Sequence, residues 1–247
     1  MARHALARRL SEPQGRRILA GAVLLRPLFG RRRIEHIANG IDLQLYRPMA
    51  RGAARRLLAL PADERPVLVF GAMSATSNQR KGYGPLQKAL RLFARTPAGH
   101  GAMAVVFGGE PQESRDIEGL RVVHVGEITD EARLACLYAA ADAVIAPSME
   151  DNLPNVILEA LGCATPVVAF AAGGIPDAVD HKRNGYLAPV GAADELARGI
   201  EWVLDPARKA RLAAAARDTA EHRFDLRQCA ARYRDLFAEL IAARAGG

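Results

Sequence analysis

Five short runs of apolar residues, rich in Val, Ile and Ala, punctuate the chain at 67–71, 103–108, 121–125, 143–146 and 165–170. Unbroken apolar runs of this length, bounded by turn residues, predict strands buried on both faces of a sheet. Hydrophobic positions recur with helical spacing at about 82–95, 130–140, 155–161, 192–204 and 207–222. Strands alternating with helices predict an α/β fold built on one doubly wound parallel sheet. A further amphipathic helix is expected from Phe224 to Ala243, with Tyr233, Leu236, Phe237, Leu240 and Ile241 on its apolar stripe.

In such folds ligands bind beyond the carboxyl ends of the strands. The segments falling there are Gly71 to Lys81, Gly108-Gly109-Glu110, Gly126-Glu127, Ser148 to Asn155, and Gly173-Gly174. Convergence of five loops on one edge is a stronger argument than any single motif. The pair Gly108-Gly109 alone reads as a turn. Gly173-Gly174-Ile175-Pro176 admits two readings, a close backbone approach to a ligand or an ordinary strand-to-helix turn. His124, on the third strand, reads as a core or edge histidine, and His181 and Lys182 as solvated loop residues.

The segment from Pro147 to Pro189 carries the richest chemistry. Asp151 and Asn152 are suited to cap a helix, Pro154 to its first turn, and Gly162 to its end. The helix between them is expected to be about two turns long. Its free N–H groups and partial positive charge favour a phosphate or diphosphate. Glu159, later on the helix, and Asp151, before it, can each accept hydrogen bonds from sugar hydroxyls. Two carboxylates flanking a phosphate-binding helix start fit the three parts of a sugar nucleotide. For Asp151 and Asn152 a purely capping role is the competing reading. Glu159 is harder to dismiss, because it interrupts an apolar, buried run, and a buried carboxylate needs a partner.

On these residues the segment resembles the donor-binding motif of retaining glycosyltransferases of family 4, which have the GT-B fold. Their Glu-x7-Glu pair maps to Asp151 and Glu159, with Asp in place of the first Glu and Glu150 just before it. The resemblance implies that Asp151 contacts the transferred sugar and Glu159 the nucleotide ribose. The backbone around Leu153, Pro154, Asn155 and Val156 would cradle the diphosphate. Asn39-Gly40-Ile41-Asp42, with Tyr46 and Pro48, resembles the family's interdomain linker, and Val67 to Gly71 the first strand of its donor domain. Arg80-Lys81-Gly82-Tyr83 resembles its phosphate-neutralising basic motif. A further Arg that family members often carry after the first strand is absent from Gly71 to Thr76. The resemblance implies catalytic roles for Lys81, Arg80, Asp151 and Glu159. Donor binding would fall to Gly71, Ala72, Gly126, Glu150, Asn152, Leu153, Pro154, Asn155 and Val156. It spans roughly residues 35 to 240 and is nearest to colanic-acid-type polysaccharide glycosyltransferases. The fold implied is a single Rossmann-like sheet, the C-terminal half of GT-B, without the acceptor domain. That gives residues 1–48 as a basic arm and linker remnant, and 49–247 as the nucleotide-sugar-binding domain with a crossing helix.

Charge refines this picture. The net charge of +7 is concentrated in residues 1–33, which hold nine Arg and one Glu. Two readings of this arm stand, a solvated linker and a contact with an anionic membrane surface. No nucleic-acid-binding module accompanies it, so nucleic acid is not an expected partner. The apolar run from Ile18 to Leu25 is too short to span a bilayer, and a cytoplasmic location is expected, peripheral to the inner membrane face if the arm binds lipid. The three cysteines, Cys136, Cys163 and Cys229, show no metal or redox spacing. No Asp-x-Asp pair is present to hold a metal, so no metal or cofactor is expected beyond the donor itself.

A two-domain enzyme of this family needs roughly 350 to 400 residues. The chain is therefore expected to be a fragment, a truncated product, or a donor half acting with a separate acceptor domain. The leading expectation is transfer of a hexose, with retention, from a nucleoside-diphosphate sugar to a glycan or lipid-linked glycan. The alternative is a non-catalytic nucleotide-sugar-binding remnant. A related epimerase or phosphorylase is weaker; a pyridoxal-binding lysine has no supporting context.

Overall fold

The computed structural model describes residues 33, 35–61, 63–71, 79–109 and 113–245. Ala72, Glu110 and, apart from Arg33, the basic arm up to Arg33 lie outside them. The described residues fall into two compact units. One runs from Asn39 to Ala231 and holds the entire sheet; the other groups residues before Asn39 with those from Arg232 onward.

The strands are β1 (Val67–Gly71), β2 (Met103–Phe107), β3 (Arg115–Ile117), β4 (Leu120–His124), β5 (Ala143–Ala146), β6 (Val167–Phe170) and β7 (Gly185–Ala188). The helices are α1 (Arg51–Leu57), α2 (Tyr83–Ala94), α3 (Glu131–Ala140), α4 (Asn155–Gly162), α5 (Ile175–Ala178), α6 (Ala193–Leu204), α7 (Lys209–Arg223) and α8 (Leu226–Ala245), with a short 3-10 turn at Gln79–Lys81. Every apolar run expected to be a strand is one. Two strands are additional. β3 is three residues long and pairs antiparallel with β4 at the sheet edge; its Arg-Asp-Ile sequence carries no apolar run. β7 pairs parallel with β6 and begins at a glycine, which reads as a turn. Helices α1 and α5 are also additional, each too short for helical periodicity to show.

The sheet order is β3-β4-β2-β1-β5-β6-β7. From β1 the chain steps outward through β2 and β4, then returns with β5 to the other flank of β1. That reversal leaves a crevice between the carboxyl ends of β1 and β5, which is where a doubly wound sheet binds ligand. The central strands are buried along their whole length. Leu68, Phe70, Val106, Ile145 and Phe170 form one core with Leu86, Leu90 and Phe93 of α2 and Leu196, Ile200 and Val203 of α6. The opposite face, reached by alternate strand residues, is covered by α3 and α4, with α7 packed on α4.

At the amino end of the sheet, Asp142 gathers three cations. It pairs with Arg51 at 2.6 Å, Arg55 at 2.7 Å and Lys209 at 3.2 Å, and accepts from the Val67 amide at 2.9 Å. Arg55 is 3% exposed and also donates to the carbonyls of Ala140 and Asp63. This knot pins α1 beneath β1 and β5, far from the ligand edge.

Candidate functional site

The crevice is assembled by three loops whose backbones touch. The Met149 amide donates to the Arg80 carbonyl at 2.7 Å, tying the loop before α2 to the loop after β5. Gly82, which caps α2 with φ of 71°, lies so close that an added Cβ would sit 1.8 Å from the Pro147 carbonyl oxygen. On the other side the Gly174 amide donates to the Asn152 carbonyl at 2.6 Å. A Cβ on Gly173 would fall 1.8 Å from the Asp151 carbonyl oxygen. The close approach permitted by Gly173-Gly174 is thus to the Asp151 loop of the same chain. These contacts require glycine for steric reasons.

The result is to set Lys81 beside Asp151. Lys81 Nζ lies 2.6 Å from Asp151 Oδ2, with side chains 27% and 15% exposed, and Ser148 Oγ donates to the same oxygen at 3.3 Å. This is a correction to the expected capping. Helix α4 begins at Asn155, Pro154 occupies the N-cap position with ψ of 131°, and no side chain caps the helix. Asp151 is drawn instead to a cation 70 residues earlier. Adjacent to this pair opens a cleft of about 430 Å³, whose walls include Arg80, Glu150, Asp151, Asn152 and Gly173. The side chains of Arg80, Glu150, Asn152 and Asn155 are exposed, and Pro154 is buried.

Glu159 lies on the second turn of α4. Its Oε2 accepts a hydrogen bond from the hydroxyl of Tyr138 on α3 at 2.8 Å. Burial raises the carboxyl above the ordinary carboxylate range, the Tyr138 hydrogen bond draws it partly back, and nearby Glu131 pushes it up again. Tyr138 is itself 1% exposed. Its ring lies between Tyr46 of the linker segment, with centroids 6.3 Å apart, and Phe107 at the end of β2, at 6.0 Å. Phe107 in turn explains Gly71, where a Cβ would meet the Phe107 ring at 1.9 Å. Gly126 has φ of 72° and its carbonyl accepts from the Gly108 amide at 2.8 Å.

The structure thus joins Lys81, Asp151 and the Arg80 backbone directly, and places Glu159 on the helix that follows. Sequence reasoning did not find Tyr138, and named Ser148 only as the first residue of its loop. The signal that could have found Tyr138 is a tyrosine among small apolar residues on the helix expected at about 130–140, since a buried phenol hydroxyl needs a partner. His124 is 9% exposed at the carboxyl end of β4, with Nε2 3.5 Å from the Tyr83 hydroxyl. Burial, then the neighbouring Arg115, hold it below the ordinary imidazole value. His181 is not simply solvated: its Nδ1 accepts from the Leu187 amide at 3.1 Å and its ring packs on Tyr186. Among the described residues no group of His, Cys, Asp and Glu is arranged to hold a metal ion, and no helix is long and apolar enough to cross a membrane.

A mostly parallel sheet with a basic and acidic pair at its switch point, followed by an uncapped helix start, defines a Rossmann-like domain of the kind that forms the C-terminal half of GT-B glycosyltransferases. Residues 64–206, more than half of the chain, match the family described as glycosyl transferases group 1. The chain belongs to that family. It is 33% identical over 229 residues to D-inositol 3-phosphate glycosyltransferase of Saccharomonospora viridis, covering 86% of this chain and 52% of that protein. Among solved structures, sucrose-phosphate synthase from Thermosynechococcus elongatus superposes with a TM-score of 0.75 at 29% identity, over 90% of this chain and 57% of that one. Anabaena Alr3699/HepE, solved in complex with UDP-glucose, superposes with a TM-score of 0.68 at 26% identity, over 83% and 57% of the two chains. The chain spans about half the length of the curated relatives it matches.

Proposed function

We propose that this chain is the donor-binding half of a glycosyltransferase that transfers a hexose from a nucleoside-diphosphate sugar, with retention, to a glycan or lipid-linked glycan. The observation that carries the proposal is the Lys81–Asp151 pair at 2.6 Å, beside the uncapped start of α4, in the crevice between β1 and β5. Lys81 exchanges its carboxylate partner for the donor diphosphate, with Arg80 on the cleft wall as a second cation. The first-turn amides of α4, at Asn155 and Val156, add N–H donors and the positive end of the helix dipole. Charge developing on the leaving diphosphate is stabilised by the same groups, so the reaction as proposed needs no metal or cofactor. Glu159 accepts from the ribose hydroxyls. Asp151, released from Lys81, faces the transferred sugar, with Glu150 and Asn152 on the same rim.

The complex of Alr3699/HepE with UDP-glucose supports a uridine nucleotide as the first donor to test. The similarity to D-inositol 3-phosphate glycosyltransferases over half their length favours an acceptor site supplied from outside this chain. A polysaccharide-type acceptor, as in colanic-acid-type enzymes, and contact of the basic arm with the inner membrane face belong to the same proposal. Calorimetric titration with UDP-, GDP- and ADP-sugars tests it. Micromolar binding of one of the three is the expected result; heat changes absent for all three would sink the donor-site reading. Transfer activity is expected only once an acceptor domain is added.

A further inference from the structure

We infer that Tyr138 is a positioning residue for donor recognition: its hydroxyl holds the Glu159 carboxylate where the ribose of a nucleotide donor must find it. The inference rests on the donor-site reading and assigns a role to a residue outside the motif that suggested it. Three observations carry it. The hydrogen bond from Tyr138 Oη to Glu159 Oε2 is 2.8 Å long. The ring that bears the hydroxyl cannot swing away, because it is 1% exposed and lies between Tyr46 and Phe107. Glu159, by contrast, is half-buried, so only part of its carboxyl faces the protein. A single donor fixed on one side of a carboxylate leaves its other lone pairs for a ligand.

The neighbourhood gives the hydroxyl a further consequence. Glu131 and Tyr138 approach Glu159 from α3, and Tyr46 from the linker segment. Cys163 lies at the end of α4, next to Cys136 of α3. On α7 the facing cation, Arg217, donates to the carbonyls of Tyr46 and Gly162 at 2.9 and 2.7 Å. No group among these is a cation bonded to Glu159, and the Tyr138 hydroxyl, 2.8 Å from Oε2, partly offsets the upward push of burial on the carboxyl. A protonated Glu159 is a poorer acceptor for ribose. Tyr138 therefore both orients the group and extends its working range toward lower pH.

The test titrates the 247-residue chain and its Tyr138→Phe variant with UDP and with 2′,3′-dideoxy-UDP between pH 5 and 8, with thermal melts in parallel. Wild type is expected to prefer UDP. In Y138F the affinity for UDP should fall about 3- to 10-fold, the value of one hydrogen bond, while that for the dideoxy nucleotide stays within about twofold. The acid limb of UDP binding should move to higher pH. If Y138F is not folded at the assay temperature, Phe107→Leu, which loosens the ring without touching either polar group, carries the same expectation at smaller size. A variant that keeps both the wild-type preference for ribose hydroxyls and the wild-type pH profile overturns the inference. So does a wild type that binds both nucleotides equally, although the donor site then stands. Failure of wild type to bind UDP, GDP or ADP in any form removes the donor site itself.

Discussion

The ion pair between Lys81 and Asp151 makes a prediction that separates two roles for the acid. The ammonium is 2.6 Å from the carboxylate, and the two side chains are 27% and 15% exposed. At that exposure the pair is worth about 1 kcal/mol, near the upper end for partly solvated ion pairs. A hydrogen bond from an ammonium to a charged phosphate is worth about 1.5–3 kcal/mol. Binding of a diphosphate therefore gains the second and gives up the first. Lys81→Ala removes both, and leaves an unpaired carboxylate facing the diphosphate. The expected outcome is binding of UDP weakened roughly 5- to 100-fold. Asp151→Asn frees the lysine and removes a negative charge, so UDP alone should bind about 2- to 5-fold more tightly. If Asp151 also contacts the transferred sugar, UDP-glucose will not share that gain. Calorimetry of the four proteins of the double-mutant cycle, at low and high salt, measures each quantity. An unchanged affinity in K81A would refute the assignment of Lys81 to the phosphates. Equal weakening of UDP and UDP-glucose in D151N would refute the view that the pair competes with the donor.

Other parts of the molecule make independent predictions. Glu159 has its carboxyl raised by burial, so the folded state binds its proton more tightly than the unfolded chain does, and this group's contribution to stability falls as pH rises from the unfolded value through the folded one. Glu159→Gln should therefore melt at or above the wild-type temperature at pH 7, with the advantage shrinking toward pH 4, while nucleotide binding weakens; a variant that is less stable at neutral pH would contradict this. Asp142→Ala strands the buried Arg55 without its counterion, and should cost about 3–5 kcal/mol in urea unfolding without altering nucleotide affinity per folded molecule. Cys136, Cys163 and Cys229 are all buried, and burial pushes the Cys163 thiol up to about 12. A thiol reagent at pH 8 should label the native protein slowly and the urea-unfolded chain at all three positions; fast labelling of native Cys163 would place it elsewhere.

The order of strands and helices was legible because each central strand is buried on both faces and so must be apolar along its length. The short edge strand β3 carries no apolar run, because Arg115 and Asp116 are exposed, and it is defined only by its antiparallel pairing with β4. The donor motif was legible as a set of residue types, but its local geometry was misread at one point. Asp151 and Asn152 have the chemistry of helix caps, and only the folded sheet brings a lysine close enough to claim Asp151.

What the sequence determined by itself, then, was the class of fold, the edge of the sheet on which the candidate loops converge, and the need of Glu159 for a partner. Periodicity and burial are properties of successive residues, and they can be read from one end of the chain to the other. The tertiary structure decided which partner each group received. Tyr138 reaches Glu159 and Lys81 reaches Asp151 because strand order places β1 beside β5 and packs α3 against α4. Gly82 and Gly173 then let backbones approach where a side chain would hold them apart. Those pairings join residues distant in the chain, and no local pattern encodes them.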